Sequence, residues 1–168
     1  MSFLLGLKEK KKIILKKENL FYLILIITIF VLDRFTKSNI IDNFSDNSYY
    51  VNNFINFDLI WNTGIGFGFL SSTSNMIYNS ITILIGSIII FLFYLFLFTN
   101  KMEKIIFSII IGGALGNFYD RIIFKAVPDF IDLHYNSFHW FTFNIADIFI
   151  TVGIFILFVY GLIKKENS

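Results

Sequence analysis

MIYNSITILIGSIIIFLFYLFLF, residues Met76–Phe98, contains no charged side chain. A helix rising about 1.5 Å per residue needs roughly 20 apolar residues to cross about 30 Å of hydrocarbon, so this stretch reads as a membrane span. Outward from it, residues 105–124 and 143–163 have similar length and apolarity, although the first carries Asp120 and Arg121 and the second Asp147. A fourth candidate begins with Leu20–Leu32 and is interrupted by Asp33-Arg34. It reaches spanning length, over about residues 19–40, only if Asp33 lies inside the helix. The alternative for that segment is a cleavable signal peptide with Lys8–Lys17 as its basic region, but the flank DRFTKSN offers no small-residue cleavage site.

The composition agrees. The 168 residues are 56% hydrophobic and 15% charged, with a mean hydropathy of +0.71, which excludes an ordinary soluble enzyme. The absence of Cys removes disulfides, thiolate metal sites and Cys nucleophiles. A net charge of +2 gives no reason to expect nucleic acid as a partner.

The positions of the charges predict the topology. Lys8–Lys17, Lys101 with Lys104, and Lys164 with Lys165 hold 10 of the 14 basic residues, which places both termini and the loop between spans two and three in the cytoplasm. The outward loops, about 41–75 and 125–142, hold Asp42, Asp46, Asp58, Asp129 and Asp132, and Lys125, at the start of the second, is their one basic residue. Within the first of them, SYYVNNFINFDLIWN suits short strands at headgroup level, where Tyr and Trp are favoured. No repeat or second domain is visible, so residues 1–168 read as a single integral membrane domain.

Ionisable residues in spans cost roughly 2.5–3.5 kcal/mol at mid-helix, which makes each a functional candidate until a partner explains it. Asp33, Arg34, Lys37, Asp120, Arg121 and Asp147 qualify, with Asp129 just beyond span three. Asn117 shares a helix face with Asp120 and Arg121, and Asn144 with Asp147. Gly112 and Gly116 have the spacing that lets two helices approach closely. Asp33 with Lys37, and Asp120 with Arg121 or another cation, are candidate ion pairs. Asp147 has no basic residue at helical spacing, and Asp129 lies just beyond span three, past Pro128 and outside its helix. Two such carboxylates brought together share a proton, which suits an aspartic hydrolase in which one takes a proton from water and the other protonates the substrate carbonyl. A proton-coupled transporter and a non-catalytic four-helix scaffold are the alternatives. The transporter would place its carboxylates near the midplane, and the scaffold would give each a cationic partner. His134 and His139, with Asp132 nearby, lack the ligand spacing of known zinc motifs, so no metal is expected. Gly64–Gly68 lacks a phosphate-loop pattern and instead suits close approach by an extended peptide.

Five motifs in order resemble those of the bacterial lipoprotein signal peptidases, the type II signal peptidase family: DRFTK at 33–37, NTGIGFGFL at 62–70, GGALGNFYDR at 112–121, VPDFID at 127–132 and FNIAD at 143–147. The resemblance implies an aspartic endopeptidase with the dyad Asp129 and Asp147. It also implies a substrate-binding and supporting set of Asn62, Gly64, Asn117, Asp120, Arg121, Asn144 and Asp33, without metal or organic cofactor. The implied fold is an all-α membrane protein of four transmembrane helices with a small extracytoplasmic β-cradle and a short outer helix. The implied reaction removes the signal peptide of a diacylglyceryl-modified prolipoprotein before the lipidated cysteine, at the outer face of the cytoplasmic membrane. The expected partners are that precursor, membrane phospholipid and globomycin-type inhibitors, and a monomer is expected. Where the family usually reads NxGAAFS and VVDF, this chain has NTGIGFG and VPDF. Ile65, Gly66 and Pro128 are the departures.

Overall fold

The computed structural model describes residues 17–44, 48–64 and 75–166. The basic stretch before Lys17 and the glycine run beyond Gly64, including Ile65 and Gly66, lie outside the described residues. Four long helices, α1 (Lys17–Phe44), α2 (Asn75–Phe98), α3 (Lys101–Ile123) and α4 (Ile145–Glu166), accompany a four-stranded sheet of β1 (Tyr49–Asn52), β2 (Ile55–Asn62), β3 (Val127–Tyr135) and β4 (Phe138–Phe143). All four helices are long and apolar enough to cross a membrane. The short outer helix has no counterpart among the described residues.

α1 runs uninterrupted through Asp33, and its 28 residues extend roughly 42 Å. The charge that interrupts its apolar run is therefore built into the span. α3 is the central helix: over half of its apolar window is buried, against 17% for α2 and 11% for α4, whose large side chains face outward as a lipid-facing helix requires. Its closeness to α1 and α4 depends on three glycines. A Cβ at Gly112 would lie 2.8 Å from Ile29 Cβ, at Gly113 it would lie 2.6 Å from the Ala146 carbonyl oxygen, and at Gly116 it would collide with Asp33 Oδ2. Gly113→Ala should therefore push the first turn of α4 away, at a cost of about 1–3 kcal/mol as overpacking, and lower both the thermal midpoint in detergent and the activity. Gly161 is the control, because a Cβ there would have nothing within 4 Å: Gly161→Ala should leave both unchanged. Equal midpoints for the two variants would contradict this packing.

The buried apolar cluster and the buried charges lie toward opposite ends of the helices. Tyr22, Ile26, Phe96, Phe107 and Ile111 form a buried cluster at the end where α2 runs into α3. Asn100 caps α3 there, accepting from the Glu103 amide at 3.0 Å. At the other end, the sheet is an antiparallel meander in the order β1-β2-β3-β4, with α2 and α3 inserted between β2 and β3. SYYVNNFINFDLIWN supplies β1 and β2. β3 is interior to the sheet yet holds Pro128. This is tolerated because Pro128 pairs only with Trp61 on β2, while pairing to β4 starts at Ile131.

Candidate active site

Asp129 and Asp147 reach the site from different elements, and each is set by local geometry. The β2–β3 register pairs Asn62 with Val127, so Asn62 is the diagonal, same-face neighbour of Asp129. Asn62 Nδ2 donates to Asp129 Oδ2 at 2.8 Å. Asn144 precedes the first residue of α4 and acts as its N-cap: its Oδ1 accepts from the Asp147 amide at 3.1 Å, and its own amide donates to Asp147 Oδ2 at 3.2 Å. This reciprocal pair is a capping box, and it fixes Asp147 in the first helical turn. The same Asn144 side chain donates from Nδ2 to Asp129 Oδ1 at 2.6 Å. One fully buried residue thus bridges the two carboxyl groups.

The remaining contacts extend this bridge into a single network. Asn117 Nδ2 donates to Asp147 Oδ1 at 2.8 Å, and Asn117 Oδ1 accepts from Lys37 Nζ at 2.7 Å. Lys37 Nζ also donates to Asp33 Oδ2 at 2.9 Å and to Asp120 Oδ2 at 2.8 Å, which uses all three ammonium hydrogens. Asp120 takes a second cation, Arg34, on Oδ1. Asp33 Oδ1 accepts from the Ala146 amide at 3.0 Å, satisfying another free N–H of the first turn of α4. On the sheet side, Asn62 Oδ1 accepts from the Gly64 amide at 2.8 Å, and the Gly64 carbonyl accepts from Arg121 Nη2. All nine residues that the family resemblance implies for the site therefore belong to one connected set.

Both expected ion pairs are present, with partners more distant along the chain than spacing alone selects. Asp120 binds Arg34 and Lys37 from α1 rather than Arg121, because adjacent residues on a helix point about 100° apart. Lys37 is more than the partner of Asp33. It is wholly buried and joins three groups on two helices. Its role depends on α1 and α3 touching at Gly116, which its i, i+4 spacing to Asp33 does not disclose. Tyr78, whose hydroxyl donates to the Arg121 carbonyl at 2.8 Å, has no signal in the sequence that would single it out.

Electrostatically the two carboxylates stand apart from the others. Asp33 and Asp120 each touch a cation, whereas among the described residues the hydrogen bonds to Asp129 and Asp147 come from amide N–H groups. Burial pushes the Asp129 carboxyl up to about 6, reinforced by the charge of Asp147 and opposed by the Asn62 and Asn144 hydrogen bonds. A cavity of about 210 Å³ opens beside Asp147, lined otherwise by Phe141, Phe143, Ile148, Thr151 and Val152. Arg121 is buried, and its Nε and Nη1 have no hydrogen-bond partner among the described residues.

Comparison with known proteins bears on what this site belongs to. The family model described as Signal peptidase (SPase) II matches residues 25–163. The chain is similar to the lipoprotein signal peptidase of Pelagibacter ubique (strain HTCC1062), with 49% identity over 152 residues covering 87% of this chain and 92% of the relative. It is similar to that of Francisella tularensis subsp. novicida (strain U112), with 36% identity over 160 residues covering 92% and 99%. A bacterial membrane enzyme solved by the in meso method at 2.3 Å superposes with a TM-score of 0.73 at 30% identity, covering 88% of this chain and 90% of that one. The family match spans α1 to α4 and so includes every residue of the network. The chain belongs to the signal peptidase II family, and is a multi-pass membrane protein of bacterial type.

Proposed function

We propose that this protein is an aspartic endopeptidase that removes signal peptides from diacylglyceryl-modified prolipoproteins, cleaving before the lipidated cysteine with Asp129 and Asp147 as its dyad. The observation that carries this reading is the pair of carboxyl groups, Asp129 buried and Asp147 half-buried beside the cavity, bridged by Asn144 and served by amide donors, in a chain of the signal peptidase II family. With no cation against either group among the described residues, the pair holds one proton between them. The ionised member takes a proton from water, whose oxygen attacks the carbonyl preceding the cysteine, while the other member protonates the carbonyl oxygen. Collapse of the tetrahedral intermediate breaks the C–N bond and returns a proton to the departing amine, leaving a carboxyl terminus on the signal peptide and a free amino group on the lipidated cysteine.

Other residues have roles consistent with this chemistry. Asn62, Asn144 and Asn117 orient the carboxyl groups, and Asp33, Lys37 and Asp120 hold α1, α3 and α4 in register behind them. The N–H groups of Arg121 not used by Gly64 suit peptide carbonyls. The apolar cavity beside Asp147 suits side chains or lipid of the precursor. The basic residues at the ends of the helices away from the sheet support a topology with the termini in the cytoplasm and the site at the extracytoplasmic face.

Incubation of the purified protein with a diacylglyceryl-modified precursor tests the proposal. The expected product begins at the lipidated cysteine, and globomycin should suppress it; an intact precursor would overturn the reading. The pH dependence follows from Asp129. Since its carboxyl is raised to about 6, the dyad loses its shared proton as pH rises through that value. kcat/KM should then fall above about pH 6, approaching tenfold per pH unit as expected for one essential proton. A profile flat from about pH 5 to 8 would contradict the shared-proton mechanism.

A further inference from the structure

Away from the carboxylate network, the β3–β4 hairpin gathers both histidines of the chain. Asp132 and His134 are two apart on β3 and so point to one face of the sheet, opposite the face of Asp129. His139 on β4 is the register partner of His134. The pairing shifts between Leu133 and His134, from Leu133↔Phe141 to His134↔His139, so Trp140 is left outside the register. A bulge of this kind re-aims the side chains around it. The two imidazole rings stack with centroids 5.3 Å apart and planes inclined by 25°. Asp132 Oδ2 is 2.7 Å from His139 Nδ1 and 3.5 Å from His134 Nδ1.

Three features of this cluster point to a metal ion. One ligand atom from each of Asp132, His134 and His139 lies within 4.8 Å of the other two. In a tetrahedral zinc site with bonds of about 2.0–2.2 Å, ligand atoms are about 3.3 Å apart, so small rotations bring these three into place. His134 Nδ1 is the second feature: the side chain is only 7% exposed, yet this atom has no hydrogen-bond partner among the described residues and faces the shared carboxylate. Buried polar atoms are nearly always satisfied, and an orphan facing a carboxylate and a second imidazole is accounted for by a ligand between them. Third, the His139 side chain is 57% exposed and provides the route from solvent.

We infer that Asp132, His134 and His139 bind one divalent transition-metal ion, Zn²⁺, with water in the remaining position. Two imidazole nitrogens and one carboxylate are a donor set for zinc rather than for calcium or magnesium, which prefer oxygen. Binding at His139 Nδ1 places that ring's hydrogen on Nε2, and Zn²⁺ has no redox chemistry of its own, so no oxidant or reductant is required. The ion would clip β3 to β4. Asp129 lies three residues before Asp132, about 10 Å along an extended strand, and β4 leads directly into Asn144. The clip therefore closes the hairpin that connects the two carboxyl groups of the network, while remaining on the other face of the sheet. This inference does not rest on the proposed peptidase chemistry.

Metal analysis of the full-length, tag-free protein after equilibrium dialysis against micromolar Zn²⁺ tests it, because the chain has no Cys and only these two His. One equivalent of zinc is expected in the wild type. His139→Ala and His134→Ala should each weaken binding at least tenfold, whereas Asp129→Asn should not. Zn²⁺ should raise the thermal midpoint of the wild type but not of His139→Ala, whose exposed side chain can be removed without unfolding the sheet. Co²⁺ should give the visible absorption of a four-coordinate site, lost in His139→Ala. Absence of stoichiometric zinc, or retention of full affinity in the two His variants, would overturn the inference. If His139→Ala lowers the midpoint while zinc fails to bind, the cluster is a hydrogen-bonded clasp and the metal site is disproved.

Discussion

Asp129→Asn and Asp147→Asn are each expected to abolish cleavage of a lipidated precursor, lowering the rate by at least the roughly 10²–10⁴ associated with general acid-base groups, while the protein remains inserted and helical. Asn preserves the volume of Asp and removes its capacity to gain or lose a proton. At Asp129 the change also has a local geometric consequence. Both carboxylate oxygens accept N–H donors, from Asn62 at 2.8 Å and Asn144 at 2.6 Å. An amide at this position must turn its own N–H₂ toward one of them. At Asp147 the substitution meets the same conflict with Asn117 and the Asn144 amide. Unchanged helix content and detergent elution would separate lost chemistry from lost fold. Full activity in either variant would remove that residue from the mechanism.

Lys37→Met is expected to have the largest effect on stability. The side chain is entirely buried and satisfies Asp33, Asn117 and Asp120 together. Methionine fills similar space without the charge, leaving Asp33 without its ammonium partner and Asp120 with Arg34 alone. Removing one member of a buried ionic network costs about 3–5 kcal/mol, because the partner charges stay desolvated. The loss should appear as a lower thermal midpoint in detergent and reduced recovery of folded protein. Lys37→Met combined with Asp33→Asn should recover part of the loss, since it removes the uncompensated anion too. Lys125→Met, at an exposed position after α3, is the control. An unchanged midpoint for Lys37→Met would contradict the network.

What could be read from the sequence follows from the range of the interactions involved. The spans were legible because apolarity over about 20 residues is a local property, and α1 became legible once Asp33 was allowed inside it. β1 and β2 were legible as an aromatic, β-branched run. The importance of Asp147 was visible as an absence, since it has no basic residue at helical spacing, and that of Asp129 as a carboxylate just outside the helix that ends span three. What was hidden depends on contacts between distant residues. The pairing of Asp120 with Arg34 joins residues 86 apart in the chain, and no local rule selects Arg34 over the adjacent Arg121. The Asn144 bridge combines a legible capping pattern with a contact to β3 that only the sheet supplies. Gly112 and Gly116 showed that two helices approach closely, but not that the residue facing Gly116 is Asp33. The Asp132, His134 and His139 cluster forms only when the hairpin pairs with its register shift, so the spacing of the two histidines along the chain resembled no metal motif.

A double-mutant cycle on cleavage of the lipidated precursor tests most directly whether the two carboxyl groups act as one catalytic device. Rates would be compared for the wild type, Asp129→Asn, Asp147→Asn and the double variant. Groups that share a proton and act on one water are strongly non-additive, so each single substitution should lose nearly as much rate as the double. Losses that multiply independently, or a double variant that still cleaves before the lipidated cysteine at the wild-type rate, would contradict the assignment of Asp129 and Asp147 as the catalytic pair.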